Sequence, residues 1–175
     1  MNNTIEIYDR LRDEVDRKAA ALEKEHSKWM ACRKGCCNCC MNLTVWPVEF
    51  YAILEAMKKA GWGKVQLNPD KECSYLDEDG ACQIYPFRPI ICRTHGLPLV
   101  YWHEDSDPPG YGVIFCEENF DAAHTIRFDS ENTLNMDKIN EKLARINLVF
   151  LDDQKDPSLE SDTRIELRKL VDYLQ

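Results

Sequence analysis

Nine cysteines stand in this 175-residue chain, and five of them crowd between Cys32 and Cys40. No other feature restricts the fold as strongly, because thiols at this density are either oxidised to disulfides or bound to metal. The remaining four, Cys73, Cys82, Cys92 and Cys116, arrive singly. An odd count leaves a disulfide framework incomplete. The stretch Met1 to Arg17 is charged and lacks the apolar centre of an export signal. The sequence therefore predicts a cytoplasmic protein whose cysteines are metal ligands.

Length and composition set the frame. Hydrophobic residues make up 44% and charged residues 30% of the chain, an ordinary globular balance with enough apolar material for one core. A single domain over residues 1–175 is expected, with a metal-binding core at about 32–120 between helical ends. No apolar run is long enough to cross a bilayer, so no membrane association is predicted. The formal net charge of −9, from 31 acidic and 22 basic residues, argues against nucleic acid, since phosphate affinity comes from Lys and Arg.

Hydrophobic spacing predicts the elements. Tyr8, Leu11, Val15, Leu22 and Trp29 fall on one helical stripe, giving a helix from about Thr4 to about Ala31. Pro47, a favoured first-turn residue, opens a second helix that ends before Gly61. Cys73-Ser-Tyr-Leu and Ala81-Cys-Gln-Ile-Tyr flank a turn at Gly80 and predict a short hairpin. Glu104 to Gly112, with Pro108-Pro109-Gly110, reads as a surface loop. Ile139, Leu143, Ile146 and Phe150 mark a third helix. Leu167, Leu170, Val171 and Leu174 mark a fourth. The predicted class is mainly α with a small β-hairpin (α+β), its helices packed around a cysteine-ligated metal core.

Within the dense segment, Cys32 and Cys36 are four apart, so a final helical turn would put them on one face. Cys36 and Cys39 form a C-x-x-C able to wrap one metal. Cys40 is expected to face a second metal or another iron of one cluster. Cys73, Cys82, Cys92 and Cys116 would close the site and tie the hairpin to the helices.

The arrangement Cys32-x-x-x-Cys36-x-x-Cys39-Cys40 resembles the signature of the YkgJ-type cysteine-cluster proteins, described as zinc- or iron-chelating. The resemblance continues through Cys73-Ser-Tyr-Leu, Asp79-Gly-Ala-Cys82-Gln-Ile-Tyr85 and Arg88-Pro-Ile-Ile-Cys92-Arg93, and reaches Cys116-Glu-Glu-Asn-Phe120. It implies metal ligation by Cys32, Cys36, Cys39, Cys40, Cys73, Cys82 and Cys92, with Cys116 as the eighth ligand. Family members commonly carry a non-cysteine at the position of Cys37, which sets that residue apart. The implied cofactor is an iron–sulphur cluster or zinc, with a slight preference for the former.

Thiolate clusters accumulate negative charge. Arg88 and Arg93 are expected beside the ligands as charge-neutralising or hydrogen-bonding neighbours, and His95 as a hydrogen-bonding or packing one. Arg33 and Lys34 are expected to be solvated, and His26, His103 and His124 have no ligand-like spacing. Function reads first as metal binding with a structural, redox or delivery role. Two alternatives stand beside it. One is an enzyme or enzyme component related to protein lysine methylation, an activity found among proteins that resemble this family, although no G-x-G-x-x-G loop is present. The other is a metal-shaped module for a protein partner.

Overall fold

A computed structural model describes residues 2–33, 35–120 and 126–174; Lys34 and His124 lie outside the described residues. Helix α1 (Asn2–Glu25) is built on the predicted stripe. Tyr8, Leu11, Val15 and Leu22 are buried, joined by Ile5 and Ala19, as spacings of three and four require of one helical face. Burying each large apolar side chain contributes about 2 kcal/mol.

Helix α1 stops short of the predicted end at Ala31. Ser27 N–H turns back to Lys24 O and Trp29 N–H to His26 O, tight turn bonds that release the chain from the helix. Cys32 and Cys36 therefore do not share a final helical turn. They sit in a loop that bends at Gly35, whose φ is +88°, a conformation an L side chain resists.

After β1 (Thr44–Val45) comes α2 (Pro47–Lys59), which starts at the proline as expected. It is buried on two sides. Val48 and Ala52 join α1 in one core. Phe50, Ile53, Leu54 and Met57 join Tyr75, Ile84, Leu167 and Leu170 in another. Short α3 (Ile90–Thr94) leads to β2 (Leu99–His103) and β3 (Gly110–Ile114). Next, β4 (Leu134–Asn135) runs parallel to β2, giving the order β3-β2-β4. Helix α4 (Met136–Gln154) follows, and its N-terminus is capped by Asn135. It adds Met136, Ile139, Leu143 and Phe150 to the first core. Finally β5 (Ile165–Glu166) pairs antiparallel with β1, and Leu167–Tyr173 forms a 3-10 helix.

Three expectations are corrected here. The terminal segment is 3-10, whose three-residue turn stacks Leu167 and Leu170 on one buried edge. The hairpin predicted around Gly80 amounts to one bridge, Leu76 with Cys82, closed by a turn in which Asp77 Oδ1 accepts from Asp79 and Ala81 N–H. The full hairpin is β2–β3, with Leu99 opposite Ile114 and His103 opposite Gly110. It takes Gly110 to Gly112 out of the predicted loop. Gly112 fits there because a Cβ would meet the His103 ring at 2.6 Å. The fold is mixed, with helices and small sheets consistent with α+β. Its helices α1, α2 and α4 pack on apolar side chains, and Cys73 and Cys82 pack against the second core.

Candidate metal centre

Local bonds outside the helices decide which thiols meet. Asn119 is fully buried and spans two loops. Its Oδ1 accepts from Ala31 N–H (2.7 Å) and Cys32 N–H (3.2 Å). Its Nδ2 donates to Cys32 Sγ (3.2 Å) and to Gly96 O (2.8 Å). Phe120 N–H adds a bond to Trp29 O, and Asn119 N–H closes the turn onto Cys116 O. Asn38 Nδ2 reaches Glu118 Oε1. These links carry Cys116 to the Cys32–Cys39 loop. Electrostatics reports the same neighbourhood. Burial raises the Cys32 thiol above its ordinary value, the Asn119 bond opposes this, and Cys36, Cys116 and Cys39 raise it further.

A second set forms beside α2. Asn42 Oδ1 accepts from both Ser74 N–H and Ser74 Oγ–H, and Asn42 N–H donates to Glu72 O. These bonds bind the Cys40 loop to the Cys73 loop. The Leu76–Cys82 bridge and the Gln83 N–H bond to Tyr75 O bring Cys82 alongside Cys73. Cys92 is placed by Glu49, a buried carboxylate whose Oε1 accepts from Ile90 N–H (2.8 Å) and Tyr8 O–H (3.0 Å). Burial pushes Cys92 up to about 12, with Arg88 lowering it and Cys73 and Cys82 raising it. Burial likewise raises Cys73 and Cys82. Cys40 is raised by its bond with the adjacent Cys39 thiol, by burial, and by Cys73 and Cys92. The same bond lowers Cys39, making it the more acidic of the pair.

Cys32 thus has Cys36, Cys39 and Cys116 for thiol neighbours, Cys40 has Cys39, Cys73 and Cys92, and Cys92 has Cys73 and Cys82. Cys37 lies against the Asp77–Gly80 turn, where its Sγ is 3.7 Å from the site of a Gly80 Cβ. Among the described residues, no three cysteine, histidine or carboxylate side chains converge as tightly as a single bound ion requires. The thiols are gathered without forming a closed coordination sphere.

The expected neighbours divide. Arg88 lies over the Tyr85 ring, 3.7 Å from its centroid. Its charge lowers Cys39, Cys82 and Cys92 alike. Its buried Nε has no hydrogen-bond partner among the described residues. Arg93 is used elsewhere: its guanidinium grips Asp16 of α1 through Nη1 (2.7 and 3.0 Å) and bonds Arg88 O and Pro86 O. It braces the strand of chain that carries Arg88 rather than bonding sulphur. His95 has a buried Nε2 with no partner among the described residues, and burial followed by Arg88 lowers its pKa.

Asn42, Glu49 and Asn119, which position the thiols, were not read as site residues in the sequence. The usable signal was modest. Asn119 lies inside the Cys116-Glu-Glu-Asn motif, and Glu49 is a lone carboxylate on an otherwise buried helix turn.

Soft, clustered thiols suit zinc and iron alike, and two orphaned buried nitrogens beside them fit an added group that accepts hydrogen bonds or takes nitrogen. No helix among the described residues is long and apolar enough to cross a membrane. Searches of curated proteins and of solved structures each found no match. Residues 31–107 match the family model CxxCxxCC, described as a putative zinc- or iron-chelating domain. The match ends before Cys116, whose place beside Cys32 rests on the Asn119 turn. The seven cysteines Cys32, Cys36, Cys39, Cys40, Cys73, Cys82 and Cys92 all lie inside that span, so residues 31–107 are similar to the zinc- or iron-chelating domain that the family model describes.

Proposed function

We propose that this chain is a cysteine-rich metal-binding protein with two adjoining four-thiolate centres. The outer centre uses Cys32, Cys36, Cys39 and Cys116, and the inner uses Cys40, Cys73, Cys82 and Cys92, with Cys37 outside both. The observation that carries this reading is the pair of asparagine braces, Asn119 holding the Cys116 loop to Cys32 and Asn42 holding the Cys40 loop to the Cys73 loop. Four thiolates complete a tetrahedral zinc site or anchor an iron–sulphur cluster. Bound metal would supply the positive charge that lets the raised thiols of the inner set ionise, and Arg88, between the sets, offsets part of the remaining negative charge. The protein's own contribution is to hold the thiols, shield the inner set and set the charge around it.

The slight preference for iron–sulphur carried by the sequence finds support in the unpartnered Arg88 Nε–H and His95 Nε2, since inorganic sulphide is a hydrogen-bond acceptor that zinc sites lack. Purification without oxygen, with iron, zinc and acid-labile sulphide counted per chain, tests the proposal. Iron with matching sulphide supports the cluster. Stoichiometric zinc without sulphide replaces it and leaves the thiolate centres standing. Protein that binds neither metal in reducing buffer overturns the reading.

A further inference from the structure

The β2–β3 hairpin carries an aromatic pair that the fold leaves uncovered. Trp102 and Tyr111 stand directly opposite each other across the two strands, their rings edge to face with 5.1 Å between centroids. Large aromatic side chains on a sheet face usually pack against a neighbouring layer. Here Trp102 is 46% and Tyr111 64% exposed. The pair walls a cleft of about 850 Å3 together with the hairpin tip and Asp137, in the first turn of α4. Asp137 Oδ2 accepts from Trp102 N–H at 2.7 Å, which ties this carboxylate to the aromatic pair. Glu104 and Asp105 are exposed in the same wall. Among the described residues none of the three carboxylates meets a lysine or arginine in a salt bridge, and the wall contains neither residue type.

We infer that this cleft is a docking site for a basic segment of a partner protein, with a lysine or arginine side chain lying against Trp102 and Tyr111 and its charge met by Glu104, Asp105 and Asp137. An exposed ring attracts a cation through the negative potential of its face. The carboxylates draw the same sign of charge and accept hydrogen bonds from the N–H groups that carry it. A purely apolar partner would cover the three carboxylates without compensating them. A second copy of this chain would bring its own net charge of −9 and, in a two-fold contact, set the same carboxylates against these. Three carboxylates spread over the hairpin tip and α4 match more than one positive charge, as a segment of chain supplies and a single small amine does not. The site uses none of the nine cysteines, so it stands or falls apart from the metal-binding reading.

The test uses the full reduced chain and a fluorophore-labelled peptide of alternating lysine and glycine, with binding read by fluorescence anisotropy. The lysine peptide should bind and the matching glutamate peptide should not, and raising salt from about 50 to about 200 mM should weaken the complex. Trp102→Ala and Tyr111→Ala should each weaken binding about two- to fivefold, the size of an exposed cation–π contact. Because each ring also supports its neighbour across the hairpin, a second variant leaves that packing alone. Glu104→Gln with Asp105→Asn, both at the exposed tip, should weaken binding and reduce its salt dependence. Glu23→Gln with Glu25→Gln removes the same charge from exposed positions of α1 and should leave binding unchanged. Equal losses in the two double variants, or ring variants that bind as the wild type does, would show that net charge alone draws the peptide and would overturn the site. Failure of the lysine peptide to bind overturns it outright. Free lysine amide that displaces the peptide at equal concentration overturns the docked segment in favour of a small amine.

Discussion

Replacing Asn119 by alanine removes four hydrogen bonds from one buried side chain. The cost is not four equal parts. Ala31 and Cys32 are exposed, so their N–H groups regain water and lose about 0.5–1 kcal/mol each. Gly96 is buried, and stranding its carbonyl costs about 1–3 kcal/mol. With the bond to Cys32 Sγ and the small void added, Asn119→Ala should destabilise the metal-loaded protein by about 2–4 kcal/mol. Asn119→Asp keeps both acceptor bonds but loses both donated ones and sets a carboxylate beside Cys32. It should therefore weaken the outer centre more than the fold. Urea unfolding followed by the helical circular dichroism signal, with metal counted on the same samples, reads both effects. A loss below about 0.5 kcal/mol in Asn119→Ala, the range of a plain surface change, together with unchanged metal content, would refute the bracing role.

Gly96→Ala would set a Cβ 3.0 Å from Cys32 Sγ and 3.1 Å from Asn119 Nδ2 at a φ of +90°. It should cost about 1–3 kcal/mol and release outer-centre metal, as metal analysis after gel filtration would show. Cys37→Ser should retain full metal content, whereas Cys92→Ser should lose the inner metal; the reverse order in elemental analysis would move the register. Glu49 is a carboxylate raised above its ordinary 4.5, chiefly by burial. Its protonated form favours the fold, so its contribution is complete below 4.5 and is lost as pH rises through its folded value. Glu49→Gln should thus gain stability relative to wild type as pH rises from acid to neutral, measured as urea midpoints, and a gap that narrows instead would contradict this.

The helices were largely legible from sequence. The apolar stripe of α1, the proline at the start of α2 and the Ile139–Phe150 periodicity of α4 each record burial on one face. Where the chain leaves periodic structure, spacing stopped being informative. Cys32 and Cys36 were expected on a helical turn, but Gly35 bends the loop away from it. The gathering of the cysteine loops depends on asparagine bonds that span 32 residues between Asn42 and Ser74 and 87 between Cys32 and Asn119, and such links leave no period to read. Arg88 lies over the Tyr85 ring and its charge lowers the Cys39, Cys82 and Cys92 thiols. Arg93 is instead drawn to Asp16, 77 residues away and on another element. The C-terminal segment carried the right buried leucines but not the helix type, because a three-residue spacing suits α and 3-10 turns alike.

Cobalt(II) titration of the full chain in anaerobic reducing buffer tests the central claim most directly, since cobalt reports thiolate ligation by its charge-transfer and d–d absorption whatever metal the protein carries in the cell. The account predicts tetrahedral thiolate spectra that saturate at two equivalents per chain, falling to one in either Cys32→Ser or Cys92→Ser, because those residues belong to different sets of four. Saturation at one equivalent in the wild type, or the loss of both equivalents in both single variants, would contradict two separate four-thiolate centres.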